Sequence, residues 1–185
     1  MEDFFIMKDI KGSQTERNLY LTFAGESRAR NRYNFFSEVA RLEGYQWIGD
    51  VFDEAAGTKY AHSREVYRRY LDMVGNTLEN LKEAMEGETM EYSTIYRQYE
   101  EEARKEGFHH IGDFFKELSQ VARDYEEKLE ELYNRVKNDN VFRAPVPVAW
   151  KCMNCSYTHI GTSAPNQCSL CKFPKNFFKV EGEEL

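Results

Sequence analysis

The sequence from Trp150 to Lys172 reads WKCMNCSYTHIGTSAPNQCSLCK and holds all four cysteines of the 185-residue chain. Cys152 and Cys155 form one CxxC pair, and Cys168 and Cys171 form a second pair after twelve intervening residues. Each pair can offer two thiolates to one tetrahedral metal ion. Two disulfides, or four unrelated buried thiols, are the alternative interpretations. The spacing favours a four-cysteine metal site, and an all-sulfur tetrahedral site suits both iron and zinc.

The charge balance of the chain bounds its partners and its location. Charged residues make up 31% of the sequence and the net charge is −7, which argues against nucleic acid or an anionic membrane as a partner. Residues 1–8 lack the basic and apolar regions of a signal peptide, and no apolar run is long enough to span a membrane. Cysteines with metal-ligand spacing and no export signal together predict a reducing cytoplasm.

Helical periodicity predicts four long helices in the first three quarters of the chain. Ser13 and Glu16 form a capping box before the first helix, which ends at Gly44. The others are expected over about residues 46–74, 77–105 and 111–136. Because the connections are very short, neighbouring helices must run antiparallel. The prediction is an all-α, up-down four-helix bundle.

The helical pattern breaks after residue 137. Pro145 and Pro147 prevent a helix and favour an extended linker. The predicted domains are therefore a bundle over residues 1–137, a linker over 138–149 and a small metal module over 150–185. The module is too short for a self-sufficient apolar core, so a bound metal must supply the missing stability.

Acidic residues inside the predicted helices indicate a second candidate metal site. Glu26 lies in an apolar stretch, Glu88 and Glu91 share one helix face, and His62 has no obvious surface partner. Each residue alone is more typical of a solvated acid or a hydrogen-bonded histidine than of a metal ligand. Together, and away from the helix ends, they favour a dinuclear site between the helices.

Short segments along the whole chain carry a family resemblance. They are FAGESRARNRY (23–33), EGY (43–45), ENLK (79–82), EGE (86–88), EGF (106–108), VF (141–142), WKCMNC (150–155), AP (164–165) and PK (174–175). In these segments the chain resembles the rubrerythrins. The resemblance implies a ferritin-like bundle followed by a rubredoxin-like module, a role in oxidative-stress defence, and a head-to-tail homodimer. It also implies peroxidase activity at a di-iron site that takes electrons from the four-cysteine iron, with a redox partner protein.

The same resemblance exposes missing di-iron ligands. Glu26, His62, Glu88 and Glu91 match ligand positions of the family, and Tyr33 and Tyr96 match two tyrosines that surround its site. At three further ligand positions the family's residues are replaced. Lys59 and Ala122 stand where the family has its two bridging glutamates, and Tyr125 stands where it has a histidine. Three glutamates and one lysine sum to about −2 when ionised, too little for two ferric ions. We expect Lys59 to contact Glu26, Glu88 or Glu91 as an internal counter-ion, and His62 to be a hydrogen-bonded core histidine.

Three functions fit the sequence. The first is electron transfer by a four-cysteine iron without a di-iron site, and the second is the intact peroxidase of the family. The third is a non-redox dimeric scaffold that holds zinc. In the module, Ser156 and Lys172 stand where the family favours glycine, and Ser169 replaces a usual proline. The ligands therefore persist while the surroundings that tune the redox couple differ.

Overall fold

The computed structural model describes residues 9–182. The prediction that residues 1–8 are not a signal peptide concerns residues outside this range. The chain forms two compact units, the first ending at Gly75 and the second beginning at Asn76. The first is a helical hairpin, and the second contains further helices and a small sheet. None of the helices in the described range combines the length and the apolar composition needed to cross a bilayer.

The first unit is built from two helices. Helix α1 spans Gln14–Leu42, and α2 spans Gln46–Arg64 and continues as a π-helical segment over Glu65–Tyr70. The Ser13 hydroxyl accepts a hydrogen bond from the Glu16 N–H at 3.1 Å, as predicted, whereas the Glu16 carboxylate accepts from Gly12. The second helical stretch ends at Tyr70 rather than near residue 74.

The helices of the second unit form another hairpin. Helix α3 (Thr77–Met90), a π-helical segment (Glu91–Ile95) and α4 (Tyr96–Lys105) follow one another without a break. Helix α5 (His109–Lys137) packs against both α3 and α4. The start of α3 has the capping box that the sequence predicts, since Asn76 and Glu79 each accept from the other's backbone N–H.

The two hairpins share one turn sequence, which identifies an internal repeat. Residues 41–52 read RLEGYQWIGDVF, and residues 104–115 read RKEGFHHIGDFF. Gly44 and Gly107 have φ of 88° and 87°, a left-handed conformation that glycine adopts without strain. In both turns the glycine N–H donates to an arginine carbonyl at 3.1 Å, at Arg41 and Arg104. The repeat therefore extends from sequence to hydrogen bonding.

Each repeated turn is closed by its arginine. Arg41 contacts Asp50 and Asp53 at 2.7 Å, and Arg104 contacts Asp113 at 2.7 Å. The glycine that follows on the next helix makes room for this arginine. A Cβ at Gly49 or Gly112 would lie 2.8 Å from the Cγ of its arginine. The turn sequence is thus explained by packing within each hairpin.

The remainder of the second unit is a three-stranded antiparallel sheet. Strands β1 (Arg143–Cys152), β2 (Thr158–Ser163) and β3 (Phe178–Val180) lie in the order β2-β1-β3, with a 3-10 turn over Lys175–Phe177 before β3. Residues 143–149, assigned to the linker from the sequence, thus belong to β1. Its pairing with β2 is irregular between Arg143 and Val148, where Pro145 and Pro147 cannot donate backbone hydrogen bonds.

The sheet encloses a small core that contains two of the cysteines. Trp150, Cys152, Cys168 and Phe178 are each at most 3% exposed. The indole N–H of Trp150 donates to the Gly161 carbonyl at 2.9 Å, so this large side chain is buried without an unpaired donor. The core of the module is therefore built around the sulfur atoms.

Candidate metal centre

The four cysteine sulfurs converge on one point. All four Sγ atoms lie within 4.8 Å of one another, and the Cys152–Cys171 and Cys155–Cys168 Sγ distances are 3.7 and 3.6 Å. A tetrahedral ion with metal–sulfur bonds of about 2.3 Å places its ligands about 3.8 Å apart, so these distances fit one ion. The sulfurs are too far apart for disulfides, which excludes that alternative.

Two equivalent backbone turns hold the sulfurs in place. In the first turn the Ser156 N–H donates to the Cys152 carbonyl at 2.8 Å, and in the second the Lys172 N–H donates to Cys168 at 3.0 Å. Ser156 and Lys172 have φ of 61° and 63°. Non-glycine side chains in this left-handed region cost on the order of 1 kcal/mol each. Ser156 and Lys172 therefore adopt a strained backbone conformation at positions where glycine is usual.

Donors from the protein already point at the sulfurs. The pKa of Cys171 is lowered to about 6, because the Asn154 side chain and then the Phe173 N–H donate hydrogen bonds to its sulfur. The Tyr157 N–H also lowers the pKa of Cys155, but desolvation and the neighbouring sulfurs outweigh it and raise the value to about 12. A metal ion binds the thiolate form of cysteine. The hydrogen bonds that Cys171 and Cys155 accept therefore favour metal binding by these two residues.

In the first hairpin, Glu26 is held by the two residues at the second-helix ligand positions. Lys59 Nζ lies 2.9 Å from Glu26 Oε1, and His62 Nδ1 lies 2.9 Å from Glu26 Oε2. Both carboxylate oxygens therefore have a partner. The hydrogen bond from Lys59, and to a lesser extent that with His62, holds the pKa of Glu26 below its ordinary value, against the opposing effect of desolvation.

This cluster agrees with one expectation from the sequence and differs from another. Lys59 contacts Glu26, one of the three expected partners, because α1 and α2 form one hairpin. His62 is hydrogen-bonded, but its side chain is 57% exposed rather than part of a core. Lys59 and Glu26 are less exposed, at 28% and 20%, so their pairing is the better shielded of the two contacts.

In the second hairpin, Glu88 and Glu91 have different surroundings. The Tyr96 hydroxyl donates to Glu91 Oε2 at 2.8 Å, and this bond, followed by desolvation, raises the pKa of Tyr96 to about 12. Desolvation and the neighbouring Glu91 charge raise the pKa of Glu88. Tyr33 has a different role in the first hairpin, where its ring lies 6.1 Å from that of Phe52.

The internal repeat relates the substituted ligand positions to one another. At the spacing of the two turns, Lys59 corresponds to Ala122 and His62 to Tyr125. Glu26 corresponds to Glu88, because the π-helical segment over 91–95 accommodates one additional residue. Ala122 is buried, and the ring of Tyr125, which is half exposed, lies 5.5 Å from the Lys128 ammonium. The second hairpin therefore lacks both side chains that hold Glu26 in the first.

Comparison with known proteins places both parts of the chain. The family described as Rubrerythrin matches residues 17–133, and the rubredoxin-like domain of rubrerythrin matches residues 150–179. This chain belongs to the rubrerythrin family. It is 36% identical to a rubrerythrin of Porphyromonas gingivalis, over 93% of this chain and 92% of that protein. It is 33% identical to a rubrerythrin of Nitratidesulfovibrio vulgaris, over 95% of this chain and 98% of that protein.

Membership of the rubrerythrin family confirms the fold class predicted from the sequence. The chain has a helical ferritin-like domain with four helices and a C-terminal rubredoxin-like module. A partially reduced nigerythrin is a structural neighbour at 25% identity, covering 90% of this chain and 86% of that chain, with a TM-score of 0.35. The family assignment rests on the sequence matches, which cover both domains.

The donor sets fit the two rubrerythrin metal sites unequally. Four clustered thiolates fit one tetrahedral ion. At the positions that match the family's di-iron ligands, Lys59 brings a positive charge bonded to Glu26, and Ala122 has no donor atom. Among residues 9–182, the four cysteines form the one close group of three or more potential His, Cys, Asp or Glu ligands. Sequence reasoning missed the internal repeat, although the paired turn sequences were visible in it.

Proposed function

We propose that this chain is a rubrerythrin-family electron carrier that holds one iron at its four cysteines and no di-iron pair in its helical domain. The observation that carries the proposal is the 2.9 Å contact between Lys59 Nζ and Glu26 Oε1. A lysine occupies the position of a bridging carboxylate and neutralises a glutamate that would otherwise bind iron. Glu26 therefore pairs with a side chain of the protein itself rather than with a metal ion.

Electrostatics supports the absence of a di-iron pair. A lysine ammonium about 4 Å from a metal ion costs roughly 4 kcal/mol per unit of metal charge at an effective dielectric constant of about 20. The acids that remain are Glu26, Glu88 and Glu91, and one of them is already paired. Two ions would thus require Lys59 to leave or lose its proton, while Ala122 and Tyr125 supply neither missing carboxylate nor missing imidazole.

The module supports one-electron chemistry through its thiolates. Iron bound there supplies a ferric/ferrous couple that needs no proton transfer. Cys152 and Cys168 are buried, whereas Cys155 and Cys171 are partly accessible, so electrons can enter on the Cys155 and Cys171 side. Hydrogen bonds from Asn154, Tyr157 and Phe173 to sulfur stabilise negative charge on the ligands. The proposal includes a redox partner protein, a homodimer and a cytoplasmic role in oxidative-stress defence.

Metal content of protein produced with excess iron tests the proposal. We expect one iron per chain, a red ferric-thiolate colour, and peroxidase turnover at background even when the module is reduced chemically. A colourless protein with one zinc per chain would favour the scaffold function. Three irons per chain with rapid peroxide turnover would return the protein to the ordinary peroxidases of the family.

A restored variant provides the matched comparison. Lys59→Glu, Ala122→Glu and Tyr125→His together return the three missing ligands, and we expect this triple variant to bind two further irons per chain. The single variant Lys59→Glu should not, because the second hairpin still lacks both donors. If the triple variant binds no more iron than the wild type, loss of ligands is not the reason for the single iron.

A further inference from the structure

Lys172 lies inside the turn that carries two of the four sulfur ligands. Its N–H donates to the Cys168 carbonyl at 3.0 Å, and its carbonyl accepts from the Gln167 side chain at 3.1 Å. Its ammonium donates to the Ser169 carbonyl at 2.9 Å. Ser169 stands between Cys168 and Cys171 in the sequence. The positive charge of Lys172 is therefore tethered to the segment that joins two ligands.

The equivalent turn over residues 152–156 contains no lysine, and the ammonium of the preceding Lys151 is paired with Glu181 at 3.4 Å. Ser156 occupies the same position, with nearly the same φ and the same hydrogen bond to the first cysteine of its pair. The two turns therefore share backbone geometry, and only the second contains an ammonium group. A lysine is also strained at this φ, since a side chain in the left-handed region is unfavourable. Since serine makes the same turn at position 156, the backbone geometry does not require a lysine at position 172. The charge of Lys172 therefore has no role in forming the turn.

We propose that Lys172 raises the reduction potential of the four-cysteine iron, an inference that rests on the function proposed above. Four thiolates around a ferric ion sum to a charge of −1, and addition of one electron gives −2. A fixed positive charge nearby stabilises the more negative state. No bond is made or broken and no proton is taken up. Lys172 acts only through its charge, and because the residue is exposed, the effect depends on salt.

Reduction potentials of four variants of the iron-loaded full chain test this inference. Lys172→Met removes the charge and keeps a side chain at the strained φ, whereas Lys172→Gly removes the charge and the strain. Lys172→Arg keeps the charge. Lys175→Met removes a lysine of the same module whose ammonium lies over the Phe142 ring, 5.4 Å from its centroid, and serves as the matched control.

A spectroelectrochemical titration with dithionite as the one-electron reductant gives each potential. We expect Lys172→Met and Lys172→Gly to lower the equilibrium constant for reduction about tenfold, equivalent to about 59 mV for one electron. Lys172→Arg and Lys175→Met should keep the wild-type potential. The shift should shrink between about 0.1 M and about 1 M salt, as the screening length falls from about 10 Å to about 3 Å.

Each other outcome overturns the inference in a recognisable way. Unchanged potentials in both charge-removing variants would show that the ammonium has no influence on the couple. A shift in Lys172→Gly alone would assign the effect to backbone strain, and an equal shift in Lys175→Met would assign it to net charge. If the wild type shows no reversible one-electron step, the proposed electron carrier itself is refuted, together with the inference.

Discussion

Replacement of Lys59 by methionine removes the ammonium that neutralises Glu26 while keeping the length of the side chain. The Lys59–Glu26 pair is 2.9 Å long, and its side chains are only 28% and 20% exposed. A hydrogen bond to a charged group in such surroundings contributes about 1.5–3 kcal/mol. His62 still holds the other carboxylate oxygen, so we expect a loss near the lower limit, about 2 kcal/mol.

The loss should depend on pH in a defined direction. The folded-state pKa of Glu26 lies below the ordinary value of 4.5, so its bond with Lys59 stabilises the fold above that value. The stabilisation disappears as the pH falls through the lower folded-state pKa. The stability difference between wild type and Lys59→Met should therefore be largest near neutral pH and shrink under acid.

Urea unfolding followed by far-ultraviolet circular dichroism measures the effect. With a denaturant slope of about 2 kcal/mol per molar, a loss of about 2 kcal/mol lowers the midpoint by about 1 M. Lys82→Met is the matched control, because Lys82 pairs with Glu86 at 3.6 Å with both side chains more than 60% exposed. Such a surface pair contributes about 0.3–0.5 kcal/mol.

Two results would refute the counter-ion role of Lys59. One is a Lys59→Met midpoint equal to that of Lys82→Met at neutral pH. The other is a more stable variant, since apolar replacement of a shielded ion pair can stabilise a protein when the charges were never well paired. A double variant with Glu26→Gln isolates the pair, because the loss from Lys59→Met should largely vanish once the carboxylate is gone.

Three further predictions address the module, the repeated turns and the assembly. Cys168→Ser should release the metal and unfold the module, because metal binding supplies its folding energy; an ordered, metal-loaded variant by metal analysis and Trp150 fluorescence would contradict this. Gly112→Ala should destabilise the fold by about 1–3 kcal/mol in thermal unfolding, since its Cβ would lie 2.8 Å from Arg104 Cγ, and a neutral result would remove the packing explanation. Sedimentation at micromolar concentration should give a dimer, and a monomer would count against the proposed assembly.

The features that the sequence predicted well are those set by local spacing. Two CxxC pairs predict convergent sulfurs because each pair needs only one tight turn. The start of helix α3 was also predicted from the sequence, because Asn76 and Glu79 each accept a hydrogen bond from the other's backbone N–H within one helical turn. These interactions lie within a few residues, so no knowledge of distant contacts was needed.

The features that were missed depend on backbone geometry with little compositional signal. The π-helical segments over 65–70 and 91–95 add a residue to a helix without glycine or proline to mark it. The second helix ends early because the chain turns at Asp72, where φ is 52° and the side chain is not glycine. The choice of Glu26 among three acids as partner of Lys59 required knowing that both helices belong to one hairpin.

The repeated turn allows the requirements of folding to be separated from those of chemistry in a single molecule. Both copies keep the arginine, the left-handed glycine and the small residue beneath the arginine, because each hairpin has to close in the same way. The positions two turns and more further along have diverged, with Lys59 and His62 in one copy and Ala122 and Tyr125 in the other. A duplicated element thus acts as its own reference sequence. Where the two copies have the same residue, the closing of the hairpin constrains that residue. Where they differ, folding does not dictate the residue, and each hairpin can differ in function.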